Sequence, residues 1–237
     1  MDESPPPGPV PGQSGRGERR SLLGTYPVPA PHLVGVPLPP TPGSPSRWQP
    51  SPPPLQYGID YTFLRQHGSR PLRWRSDLPI TVRIAGPHRP EQAAAVASVV
   101  AELAGLTGLS LGSGEPWPAL ARPEIPAQEV HVSFLPVLPA AALFRPCTGR
   151  TGLGGAMTSP GASHYTSGLA IVATGAARPP GEVVILRHEL AHALGLGHAA
   201  RPNLLMYHRI SPVTVEFGRG DRHGLFLLNE SIPPGAA

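Results

Sequence analysis

Apolar and polar residues alternate over Ile80-Thr81-Val82-Arg83-Ile84 and again over Glu129-Val130-His131-Val132-Ser133-Phe134-Leu135. A period of two is that of a strand with one face on a core, so both stretches predict half-buried strands. His131 falls on the polar face of the second, where solvent exposure is expected. Leu109-Ser110-Leu111 predicts a short strand between them, and residues 168–173 are nearly all apolar, as in a strand buried on both faces. Helical signals differ in kind. Pro90 opens residues 91–105, which are rich in Ala and end on Gly105; proline in the first turn and glycine at the end predict a helix.

Two further helices are predicted. Pro179-Pro180-Gly181-Glu182 breaks the last strand and starts a helix with Glu182 favourably placed against its dipole. That helix is apolar almost all round apart from Arg187, His188, Glu189 and His192. A helix of that kind belongs in the centre of a domain, so its few polar groups are suspects for function. Residues 220–229 predict a C-terminal helix with Asp221 as cap or first-turn acid and His223 at the surface. The pattern as a whole is that of an α+β protein.

The polar groups of the central helix form a pattern. Residues 188–198 read His188-Glu189-Leu190-Ala191-His192-Ala193-Leu194-Gly195-Leu196-Gly197-His198, or H-E-x-x-H-x-x-G-x-x-H. Four residues apart on a helix, His188 and His192 project from one face and can grip a single ion. Glu189 points about a third of a turn away, which suits a carboxylate that holds a metal-bound water rather than the metal. His198 is too far along to share a straight helix, so the chain must turn back, and Gly195 and Gly197 permit that turn. In shuffled chains of this composition H-E-x-x-H arises in about 2% of cases, and adding Gly195 and His198 lowers that to about one in ten thousand. Three neutral imidazoles leave a fourth position for water, the arrangement of a catalytic zinc site with one ion.

Composition narrows the setting. Of 35 prolines, 17 lie in the first 54 residues, so residues 1–55 form a Pro/Gly/Ser-rich segment expected to be disordered, a spacer rather than a folded unit. The net charge is +4, yet all 19 basic residues are scattered arginines, which gives no footprint for nucleic acid. The single cysteine, Cys147, excludes an intrachain disulfide and is expected to be an inert thiol. No membrane-spanning segment is expected. Arg19-Arg20-Ser21-Leu22-Leu23 faintly resembles a twin-arginine export signal, but prolines interrupt the apolar run such a signal needs.

The histidine pattern, with Met206 in Asn203-Leu204-Leu205-Met206-Tyr207 eight residues after His198, resembles the metzincin metallopeptidases and within them the matrixin branch, including the small matrixin-like proteins of high-GC actinobacteria. The resemblance covers residues 56–237. It implies a zincin-like catalytic domain with a twisted mixed sheet of about five strands and three helices, and an edge strand within residues 148–168 that lines a substrate cleft. His164 and Tyr165 then become candidates to touch substrate. It also implies one catalytic Zn2+ held by His188, His192 and His198, Met206 as an apolar floor beneath them, and Glu189 as general base in zinc-dependent hydrolysis of a peptide or protein substrate. A secreted or cell-surface monomer is expected on the same ground. Tyr207 directly follows the methionine, one residue short of where some branches place a tyrosine ligand, and is not counted as one; His208 stands where matrixins usually have proline. The alternative is a catalytically silent, zinc-containing module that binds peptides.

Overall fold

The computed structural model describes residues 52–68, 70–118, 125–136, 151–175, 181–211 and 213–229. Cys147, the twin arginines and nearly all of the Pro-rich segment lie outside these. Chain contacts divide the sequence into Met1–Pro50 and Ser51–Ala237, and every described strand and helix belongs to the second unit.

Its centre is a five-stranded sheet of β3 (Ile80–Ile84), β4 (Leu111–Ser113), β5 (Glu129–Pro136), β6 (Gly152–Met157) and β7 (Ser167–Thr174), in the order β4-β3-β5-β7-β6. The four neighbours β4, β3, β5 and β7 run parallel, and β6 closes one edge antiparallel to β7. A two-stranded ribbon, β1 (Gln66–His67) with β2 (Arg70–Pro71), precedes it. The mixed sheet expected from the resemblance is present. The second strand lies slightly further along than Leu109–Leu111 suggested: the Leu109 N–H is taken by the Thr107 hydroxyl at the end of the preceding helix, and the pairing with β3 begins with Ile80 opposite Leu111.

Among the described residues there are three helices: α1 (Pro90–Thr107), α2 (Glu182–Leu194) and α3 (Arg219–Phe226). α1 runs two residues beyond Gly105, the glycine expected to end it, and is capped by Gly108, whose φ of 69° is left-handed. Alternation along the strands sends Ile80, Val82, Ile84, Val130, Val132 and Phe134 to the face where α1 and α2 pack, in one core with Val99, Leu103, Ile185, Leu186 and Leu190. Burying each such side chain contributes about 1.5–3 kcal/mol, so this layer carries most of the fold's stability.

The opposite face is where the sequence reading fails. His131 is fully buried rather than solvent-facing. Its Nε2 donates to Glu129 at 2.9 Å, the other carboxylate oxygen accepts from Arg83 on the neighbouring strand at 2.9 Å, and the ring of Trp117 lies 6.1 Å from the imidazole. Alternation identified the polar face correctly, but an ion pair and an indole close that face, which local periodicity does not encode. Burial alone would raise the carboxyl of Glu129; the hydrogen bonds from His131 and Arg83 and their charge outweigh it and hold it below its ordinary value.

Candidate metal centre

α2 is buried over ten of its thirteen residues, among them His188, Glu189 and His192. Its imidazoles are held by carbonyls: His188 Nδ1 donates to Leu205 O at 2.8 Å and His192 Nδ1 to Leu196 O at 2.6 Å. With Nδ1 committed as donor, each ring turns Nε2 to the same point. His192 Nε2 lies 3.0 Å from His188 Nε2 and 3.2 Å from His198 Nε2. Burial drives the His188 imidazolium down to about 4, with the Leu205 carbonyl pulling the other way and His198 adding to the fall, so the ring is neutral at neutral pH.

These distances test whether a metal fits. Three nitrogens at tetrahedral corners about 2.05 Å from zinc would stand about 3.3 Å apart, and the observed 3.0 and 3.2 Å are close to that. A neutral ring whose Nδ1 is a donor has only a lone pair at Nε2, and lone pairs crowded together are satisfied by a shared cation. The chemistry of the donor set therefore fits a metal ion. His188, His192 and His198 are also the one group of three metal-ligating side chains found among the described residues.

The turn that brings His198 back follows the glycines. Gly195 caps α2 with φ 114°, a conformation other residues rarely adopt, and its amide bonds the His192 carbonyl. Gly197 serves differently: a side chain there would collide with Thr62 and the backbone of Phe63. Beyond His198, Ala199 donates to the Met206 carbonyl at 2.8 Å, which ties the ligand loop to the turn carrying the methionine. Met206 is buried in the core.

Asp221 has a larger part than that of a first-turn acid. It caps α3 by accepting the Gly218 N–H at 2.9 Å, and it also accepts Leu205 N–H at 2.9 Å and Met206 N–H at 3.3 Å. Burial raises its carboxyl above the ordinary value, and those three amides pull it back only in part. A buried acid thus holds the peptide whose carbonyl orients His188. Its sequence signal was the acid at the start of the helix; its second bond set spans a distance in sequence that no local pattern records.

Glu189 is buried and lies against β6. A side chain at Gly152 would land on the Glu189 carboxylate, and one at Gly154 on its backbone carbonyl. The glycines of the edge strand therefore let α2 approach and leave room for the acid. Glycine enrichment in this stretch was visible in the sequence; its partner was not. The expectation for Tyr165 is corrected: it is fully buried, its ring packed beside Trp74 and against Gly195, and burial pushes its hydroxyl up to about 12, so it cannot face substrate. His164 beside it remains half-buried.

A scan against protein-family models finds no match, and a search of curated proteins finds none. Fold and site define a class on their own terms: an α+β protein whose buried central helix and following loop bring three histidines together as a centre able to hold one metal ion. Among the described residues no helix is long and apolar enough to cross a membrane.

Proposed function

We propose that the chain is a zinc-dependent endopeptidase of the metzincin type, similar to the matrixin branch, with Zn2+ held by His188, His192 and His198. The observation that carries this reading is the convergence of three Nε2 atoms, with His192 Nε2 3.0 and 3.2 Å from the other two, next in sequence to a buried glutamate. When bound, zinc lowers the pKa of a coordinated water towards about 7 and polarises a carbonyl.

The residues divide the remaining work. The Leu205 and Leu196 carbonyls fix the tautomer and orientation of His188 and His192, so lone pairs rather than N–H groups meet the ion. Glu189 accepts a proton from the attacking water and delivers it to the departing amine, a role that needs a carboxylate beside the metal but not on it. Its burial against Gly152 keeps bulk water from competing for that proton. Among the described residues β6 pairs with β7 alone, so the backbone of its other edge offers groups with which an extended peptide would pair. The substrate class is accordingly an unfolded or loop segment of a peptide or protein.

Incubation of the zinc-loaded full chain with a quenched fluorogenic peptide library tests the reading. Cleavage that disappears with chelator and returns with zinc is expected. Binding of peptides without cleavage would instead favour a catalytically silent peptide-binding module.

A further inference from the structure

We infer that the segment Ile59 to Leu64 is a clamp that sets the metal affinity of the centre by fixing His198, with Thr62 as its positioning residue. This rests on the reading of the three histidines as a metal centre. His198 is the one exposed member of the three, and it stands on a loop with no helix to hold it. Its backbone is pinned on both sides by residues far away in sequence. Thr62 brackets it: the Thr62 carbonyl accepts the Gly197 N–H at 2.9 Å, and the Thr62 hydroxyl donates to the His198 carbonyl at 2.7 Å, across a separation of 136 residues. On either side of that bracket, Leu64 N–H bonds the Gly195 carbonyl at 2.8 Å and Ala200 N–H bonds the Ile59 carbonyl at 2.9 Å. Asp60, itself buried, pairs with Arg201 at the end of the loop and accepts the Gln56 N–H at 2.8 Å.

The bracket is close enough to dictate a residue. Gly197 has no space for a Cβ because Thr62 Oγ1 and the Phe63 backbone occupy it, so ligand loop and clamp fit only with glycine there. A tridentate site binds tightly when all three donors are already in place, because ordering a loose ligand at the moment of binding subtracts from affinity. α2 supplies that order for His188 and His192. For His198 the clamp supplies it together with the Met206 carbonyl on the other side of the loop. Partners that orient metal ligands typically change affinity about 10- to 100-fold when removed, and Thr62 meets that description through the backbone rather than through the ring.

Zinc dissociation constants from chelator competition on the full chain test this. Thr62→Val, which keeps shape and loses the donor, is expected to weaken zinc by at least about tenfold, and Thr62→Ser, which restores the hydroxyl, to bind as the parent does. Thr107→Val is the control: it removes a buried hydroxyl that bonds Leu103 and Leu109 at the end of α1, and is expected to lower Tm without changing zinc affinity. Unchanged affinity in Thr62→Val, or an equal loss in Thr107→Val, overturns the clamp while leaving the metal centre intact. Should Thr62→Val fail to fold, Asp60→Asn takes its place, and unchanged affinity there overturns the clamp too. A parent chain that takes up no zinc overturns the metal reading itself.

Discussion

His188 and His192 stand one turn apart on a helix whose own backbone hydrogen bonds set their spacing, whereas His198 stands on a loop whose geometry is borrowed from Ile59 to Leu64 and from the Met206 turn. The first two are buried and the third is exposed. An ion bound by all three would thus join a rigid half to a tethered half. The spacing of the rigid half is set by neighbours three and four residues away, with only the ring of His188 oriented from afar by Leu205; the backbone of the tethered half is positioned by contacts across most of the domain.

The sharpest way to break this comparison is to remove a ligand from each half. His192→Ala and His198→Ala are both expected to reduce bound zinc from stoichiometric to trace, as elemental analysis would read. They are expected to differ in the metal-free state. His192→Ala strands the buried Leu196 carbonyl and costs about 1–3 kcal/mol, while His198→Ala, at an exposed position, leaves apo stability nearly unchanged. Equal losses of apo stability in thermal unfolding would show that the two halves are not held differently.

A change at the joint between the halves comes next. Asp221→Ala leaves the N–H groups of Leu205, Met206 and Gly218 without their acceptor, and is expected to cost at least about 2 kcal/mol by denaturant unfolding. Because Leu205 also orients His188, zinc affinity is expected to fall with it. Lost stability with unchanged affinity would confine Asp221 to capping α3.

The smallest effect lies outside both halves. The folded-state carboxyl of Glu129 is held below its ordinary 4.5, so its ionised form contributes stability above that pH and loses it as pH falls through the lowered folded value. Glu129→Gln is expected to lower stability at pH 7 by on the order of 1 kcal/mol, to flatten the parent's loss of stability below about pH 4.5, and to leave zinc affinity alone. A change in zinc affinity would mean that the far face of the sheet communicates with the centre.

The same division explains what could be read from the sequence. Two histidines and a glutamate at helical spacing, a glycine at the point where the helix must end, and period-two alternation in β3 and β5 are local signals, and each landed where expected. His131 and Tyr165 were misplaced because their burial depends on Arg83, Trp117, Trp74 and Gly195, which reach them from other strands and loops. Thr62 carried no signal at all, since a threonine in an irregular segment gains meaning only from the loop folded against it. Asp221 and the β6 glycines were legible as residue types but not as partners of the Met206 turn and Glu189.

The most direct test of the central claim is one measurement on Glu189→Ala: bound zinc and peptide cleavage determined on the same full-chain sample beside the parent. If Glu189 moves the proton and the histidines alone hold the ion, zinc stays stoichiometric and kcat/KM falls by about 10²- to 10⁴-fold. A zinc-loaded Glu189→Ala protein that cleaves as fast as the parent would contradict the account.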